Sequence, residues 1–160
     1  MFGIFKKSTK QKLYAPVSGR ILDISEVPDE VFSKKLVGDG IAIDPSDGVL
    51  VAPCDGKLIQ IFSTNHALGI QTPEGLEILI HIGIDTVELK GEGFKRIAES
   101  DAEIKRGDPL MEFDIDLIKK RGKSVITPVI ITNRDKKLNI RKSAGRAEAG
   151  KSVVMTIEIE

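Results

Sequence analysis

The sequence predicts an all-β protein, an antiparallel β-sandwich or barrel with short connecting helices, on three observations. The first is composition. Of 160 residues 41% are hydrophobic, drawn mostly from Ile, Val and Leu, with no Trp and one Tyr. That β-branched richness fits a pleated surface better than a helix. The second is spacing: short apolar segments are broken at even intervals by Gly, Pro and Asp, the habit of sandwiches and barrels. The third is an internal repeat. Residues 15–24 (APVSGRILDI) align with residues 52–61 (APCDGKLIQI), four of ten positions being identical and three more exchanging Arg with Lys or Ile with Leu. A solenoid needs three or more units, so two copies point to an internally duplicated β fold.

Taken in order, the expected strands are residues 13–17, 20–24, 40–43, 49–52, 57–62, 68–72, 76–82, 110–113, 127–132 and 153–159. Turn signals punctuate them, among them Val17-Ser18-Gly19, Pro45-Ser46-Asp47-Gly48 and Thr72-Pro73-Glu74-Gly75. Residues 29–36, 93–99 and 116–121 read as short helices, too short to be more than connectors. The length suits one domain, spanning 13–160, after a flexible basic arm at 1–12 that carries Lys6, Lys7, Lys10 and Lys12.

The bulk properties exclude several classes. Lys plus Arg and Asp plus Glu stand at 24 each, so no basic excess argues for nucleic acid. One cysteine, Cys54, cannot close an internal disulfide, which fits a reducing cytosol. No apolar run has the length of a membrane span, and the arm lacks the apolar stretch of a signal peptide. Phe2 in second position excludes N-myristoylation. The expectation is a soluble cytoplasmic protein, with weak peripheral contact to anionic lipid through the arm as its one link to a membrane.

Chemistry concentrates on two histidines, His66 and His81. If Thr72-Pro73-Glu74-Gly75 closes a regular two-residue hairpin, Thr72 opposes Gly75 and, by continuation, His66 opposes His81. The two imidazoles would then share a face with Leu68, Ile70 and Leu79, their Cβ atoms roughly 4.5–5.5 Å apart. A single histidine on a strand is more often packing or surface than catalyst. Two facing each other among apolar neighbours, with Thr64 two residues before His66, suggest more. Imidazole is a nitrogen nucleophile titrating near neutrality, so one ring can accept a phosphoryl group while the other donates N–H to its oxygens. The same pair with Asp85 could instead bind zinc and leave a coordination position open for hydrolysis.

At this point the residues resemble a known family. Asn65-His66-Ala67, the run from Ile80-His81-Ile82-Gly83-Ile84-Asp85 to Gly91-Glu92-Gly93-Phe94, and the segments VPDEVF (27–32), VGDGIAI (37–43) and VAPCDG (51–56) closely resemble the glucose-type enzyme IIA of the bacterial phosphoenolpyruvate:sugar phosphotransferase system. The resemblance runs from about Leu13 to the C-terminus. It implies an antiparallel β-sandwich with a duplicated hybrid motif, a single type-1 EIIA domain. It further implies that His81 is the phospho-acceptor, that His66 supports the phosphate and that Thr64 orients His66. The implied donor is the phosphocarrier HPr and the implied acceptor the IIB domain of a membrane sugar permease. Asp29 and Asp85 match acidic residues that meet partner arginines, and Val31, Phe32, Val37 and Phe62 match an apolar docking surface. Leu68 and Leu79 stand where some relatives carry Phe, giving that surface a slimmer rim. Zinc held by His66 and His81 and completed by a partner's carboxylate fits the family pattern, although no cofactor is required. Regulatory docking to other transporters or kinases would add to phosphoryl transfer without replacing it. Because the chain starts at its own Met1, a free-standing subunit is expected in place of a permease tail.

Two rivals fit less well. A zinc hydrolase on a similar β scaffold would use His66, His81 and Asp85, but such sites usually carry a His-x-His pair and position 79 is Leu. A biotinyl- or lipoyl-type carrier needs a Lys at a hairpin tip, and the turn at 72–75 has none.

Overall fold

The computed structural model describes residues 9–160. In chain order the strands are β1 (Thr9–Tyr14), β2 (Gly19–Asp23), β3 (Asp39–Pro45), β4 (Val49–Val51), β5 (Gly56–Ile61), β6 (Ala67–Gln71), β7 (Glu77–His81), β8 (Phe94–Arg96), β9 (Glu103–Ile104), β10 (Pro109–Phe113), β11 (Thr127–Ile131), β12 (Leu138–Lys142), β13 (Gly145–Ala147) and β14 (Val153–Ile159). Two short helices, α1 (Glu30–Ser33) and α2 (Ile115–Lys120), join them, with single 3₁₀ turns at Ile24–Glu26 and Thr86–Leu89. Every described pairing is antiparallel. The large sheet runs β13-β2-β3-β11-β7-β6-β5-β9, and two three-stranded sheets, β1-β14-β12 and β4-β10-β8, share one hydrophobic core with it. This is the expected all-β architecture.

The repeat is visible in the backbone. Tyr14 N–H donates to Pro53 O at 2.8 Å, and Val51 N–H donates to Pro16 O at 2.7 Å. Each copy of Ala-Pro thus clasps the other through equivalent atoms, and β2 and β5 then leave the clasp to pair with β3 and β6 in turn.

The alternation within β7 sets up everything that follows. Ile78 and Ile80 point into the main core, while Glu77, Leu79 and His81 face outward and are half-buried. A second, smaller apolar cluster covers part of that outer face. It holds Leu22, Ile24, Val27, Phe32, Ala42, Ile84 and Ile130, with α1 supplying Phe32. Asp29 caps α1 by accepting from Val31 N at 2.8 Å, which fixes where Phe32 enters.

Several expectations need correction. Residues 93–99 are not helical: Phe94–Arg96 is a strand paired with β10. Gly93, at φ +87, breaks any helical run there and lets the backbone turn into the pair. Residues 9–12 belong to β1 and are zipped to β14, so the flexible arm cannot extend through them. The remainder of that arm, with its lipid contact, lies outside the described residues. The strands β9, β12 and β13 were not anticipated. Helices were expected at 29–36 and 116–121, and they form at Glu30–Ser33 and Ile115–Lys120. Among the described residues no helix is long and apolar enough to cross a membrane.

Candidate functional site

The hairpin joining β6 and β7 decides how the histidines meet. Gly75 N–H donates to Thr72 O at 2.9 Å, the expected turn, but Thr72 N–H donates to Leu76 O, also at 2.9 Å. Thr72 therefore opposes Leu76, and Gly75 at φ +88 is an extra residue forming a bulge at the tip. The register moves by one: Ala67, not His66, lies opposite His81, and Gly69 lies opposite Leu79. Leu68 and Ile70 consequently face the core, fully buried, and not the histidines. Leu68 is thereby removed from the docking rim.

The two rings still meet, with centroids 4.9 Å apart and planes at 78°. His66 precedes the first paired residue of β6 and follows Asn65, whose φ of +63 is left-handed. Having left the pleat, its side chain is free of the strict alternation that would have sent it to the opposite face. His66 exposes only 4% of its surface.

Each ring has one nitrogen occupied. His81 Nδ1 lies 2.6 Å from Gly83 O, and a carbonyl can only accept, so Nδ1 carries the proton. Gly83 is at φ +75, and a Cβ there would come 2.5 Å from Thr86 Cγ2 and 2.7 Å from Ser124 O. The following turn is pinned by the buried Thr86 hydroxyl, which donates to Ile82 O at 2.5 Å. His66 Nδ1 lies 2.6 Å from Thr64 Oγ1. Asn65 itself is gripped by Arg96, whose Nε and Nη2 donate to Asn65 Oδ1 at 3.1 and 2.8 Å.

Both imidazoles are held neutral. Burial lowers His66 to about 4, with the nearby His81 adding to the effect. Burial also lowers His81, against the opposing pulls of the Gly83 carbonyl, Asp29 and Asp85. Phe32 packs its ring 5.1 Å from His81 and is buried, a wall of the site and not part of its rim. Phe62 sits 5.6 Å from His66 and is 37% exposed. Val31 and Val87 are exposed, Val37 is half-buried against the smaller cluster, and Asp85 is exposed in a left-handed conformation. Sequence reasoning missed Gly83, Val87 and Arg96. The left-handed glycine after His-x was a readable signal for the first, but nothing local announced that Arg96 would reach Asn65.

Among the described residues no three His, Cys, Asp or Glu side chains come together in a way that could hold a metal ion. The His66–His81–Asp85 set of a zinc hydrolase is therefore not assembled.

The chain has clear relatives among known proteins. The family profile described as phosphoenolpyruvate-dependent sugar phosphotransferase system, EIIA 1, matches residues 11–137. The chain is 49% identical over 152 residues to the PTS system glucose-specific EIIA component of Haemophilus influenzae, covering 95% of this chain and 92% of that protein. Identity to the protein of the same description from Borreliella burgdorferi is 47% over 161 residues, covering 97% of this chain and 85% of that one. Among solved structures, the glucose permease IIA from Mycoplasma capricolum matches with a TM-score of 0.86 at 40% identity, covering 98% of this chain and 99% of that chain.

Proposed function

The chain belongs to the EIIA 1 family of the phosphoenolpyruvate-dependent sugar phosphotransferase system, and on that premise we propose that His81 Nε2 is the atom on which it carries phosphate. As a glucose-type member it is a phosphoryl carrier of that system. The observation that supports His81 is its bond to Gly83 O, 2.6 Å long. With Nδ1–H committed to a carbonyl, the lone pair resides on Nε2. Burial keeps the ring neutral, so that lone pair is available at physiological pH.

In the accepting step Nε2 forms a bond to phosphorus while the bond from phosphorus to the donor breaks, its electron pair returning to the donor. Onward transfer reverses these roles: the N–P bond of His81 breaks, the pair stays on Nε2, and the acceptor's nucleophile bonds phosphorus. His66 supports the group once it sits on His81, and above all as it leaves. If the Thr64 hydroxyl donates to Nδ1, the proton of His66 sits on Nε2 and points an N–H donor at the phosphoryl oxygens. In this buried, low-dielectric setting the bond is stronger than in water.

The donor is phospho-HPr and the acceptor the IIB domain of a sugar permease, both meeting the face that exposes Val31, Phe62 and Val87 with Leu79 half-buried behind them. Asp29 and Asp85 flank His81 and offer negative charge to partner arginines. Those partners place the chain in the cytoplasm, where the same face can also dock regulated transporters or kinases. Zinc would be held by His66 and His81 together with a partner's carboxylate, so the isolated chain, with two ligands, would bind it weakly. The test is incubation with phospho-HPr and labelled phosphate: wild type takes up label and His81→Ala takes up none. Label retained by His81→Ala would overturn the assignment.

A further inference from the structure

We infer that Arg96 is a positioning residue for phosphoryl transfer, acting through Asn65 on the ring of His66. The inference rests on the phosphate-supporting role of His66 given above. Arg96 ends β8, in the small sheet β4-β10-β8, whereas Asn65 lies in the loop between β5 and β6 of the large sheet. The grip of Arg96 on Asn65 Oδ1 therefore ties two sheets together at the point where Thr64 and His66 leave regular structure. Asn65 separates those two residues and is left-handed, a conformation that asparagine tolerates better than most residues. Its own N–H donates to Phe62 O at 2.7 Å. The loop thus has three polar holds: Thr64 on His66, Asn65 on Phe62, and Arg96 on Asn65.

Two donors converging on one oxygen fix direction as well as distance, which is what arginine supplies and lysine does not. Arg96 is exposed, so its bond to a neutral amide contributes little to folding. The influences that lower the basicity of His66 are burial and His81, so Arg96 acts on the ring by geometry and not by its charge. What the grip holds constant is the aim of the His66 Nε2–H, and that aim matters most while the phosphoryl group is in transit.

The test uses full-length Arg96→Gln, Asn65→Gly and Asn65→Asp, charged by phospho-HPr and discharged to a IIB domain. Imidazole ¹⁵N spectra of His66 are recorded alongside. Arg96→Gln lowers kcat of discharge by about tenfold, short of the roughly hundredfold that a full ångström of misplacement can cost. KM for the IIB domain stays unchanged, acceptance from phospho-HPr falls less than discharge, and the His66 spectrum shifts from one tautomer toward a mixture. Asn65→Gly, which keeps the left-handed backbone, reproduces that loss, and the double variant is no worse than either single. Asn65→Asp keeps the accepting oxygen and loses less than Asn65→Gly. A raised KM at unchanged kcat would make Arg96 a partner contact and overturn the inference. So would an unchanged His66 tautomer together with unchanged discharge. Failure of the underlying reading shows itself elsewhere, as normal discharge by His66→Gln.

Discussion

His81 closes a regular strand, with its Nδ1 bound to the carbonyl of Gly83, whereas His66 sits in an irregular loop with its Nδ1 bound to the hydroxyl of Thr64. The difference lies in who can change. A carbonyl only accepts, so the tautomer of His81 is dictated by backbone and survives any substitution that leaves the turn intact. A hydroxyl can donate or accept, so the tautomer of His66 depends on Thr64 and on whatever holds the loop, including Arg96. The nucleophile is built into the fold, and its support is built from side chains. Damage to the support should therefore spare acceptance and slow discharge.

His66→Gln probes that split most strongly. Glutamine keeps an N–H donor but neither the ring's fixed aim nor its capacity to take a proton, so support weakens as the phosphoryl group moves. Acceptance from phospho-HPr proceeds, while discharge falls on the order of a hundredfold, the scale of misplacing a positioned group by about an ångström. Rapid-quench assays in both directions measure it, and equal losses in the two directions would erase the distinction. Thr64→Ala gives a milder form of the same defect. Losing one neutral hydrogen bond of about 1 kcal/mol corresponds to about a fivefold slower discharge.

The smallest effect is on folding. Both histidines are neutral in the folded chain at pH values where the unfolded chain takes up protons. Stability falls as pH drops below the ordinary histidine value of 6.5, and the contribution of His66 keeps falling until about pH 4. Above 6.5 neither ring makes stability depend on pH. Urea melts at pH 7.5 and pH 5 should show this loss, and His66→Gln should shrink it. An unchanged difference in His66→Gln would mean that His66 is not the buried neutral base described here.

The fold was readable because strands with one buried face write period-two patterns, and the duplication wrote itself twice in Ala-Pro-x-x-Gly. The hairpin turn was readable too, but its register was not. Gly75 serves equally as the last residue of a two-residue turn or as a bulge, and only the pairing of Thr72 with Leu76 separates them. That one-residue slip put Leu68 in the core. The pairing of His66 with His81 survived because His66 stands outside the pleat, a circumstance the regular-hairpin argument did not contain. In β12, Leu138 and Ile140 alternate with Asn139 and Arg141, so a signal existed and the surrounding charge obscured it. The bond from Arg96 to Asn65 spans 31 residues between two sheets, and no local pattern announces such a contact.

The most direct test of the central claim is the position of the phosphate on the imidazole. Protein charged by phospho-HPr can be examined by ¹⁵N and ³¹P NMR with ring-labelled histidine. The geometry predicts a single phosphohistidine, His81, substituted at Nε2 while Nδ1 still faces Gly83 O. Phosphorus on His81 Nδ1, or on either nitrogen of His66, would contradict it.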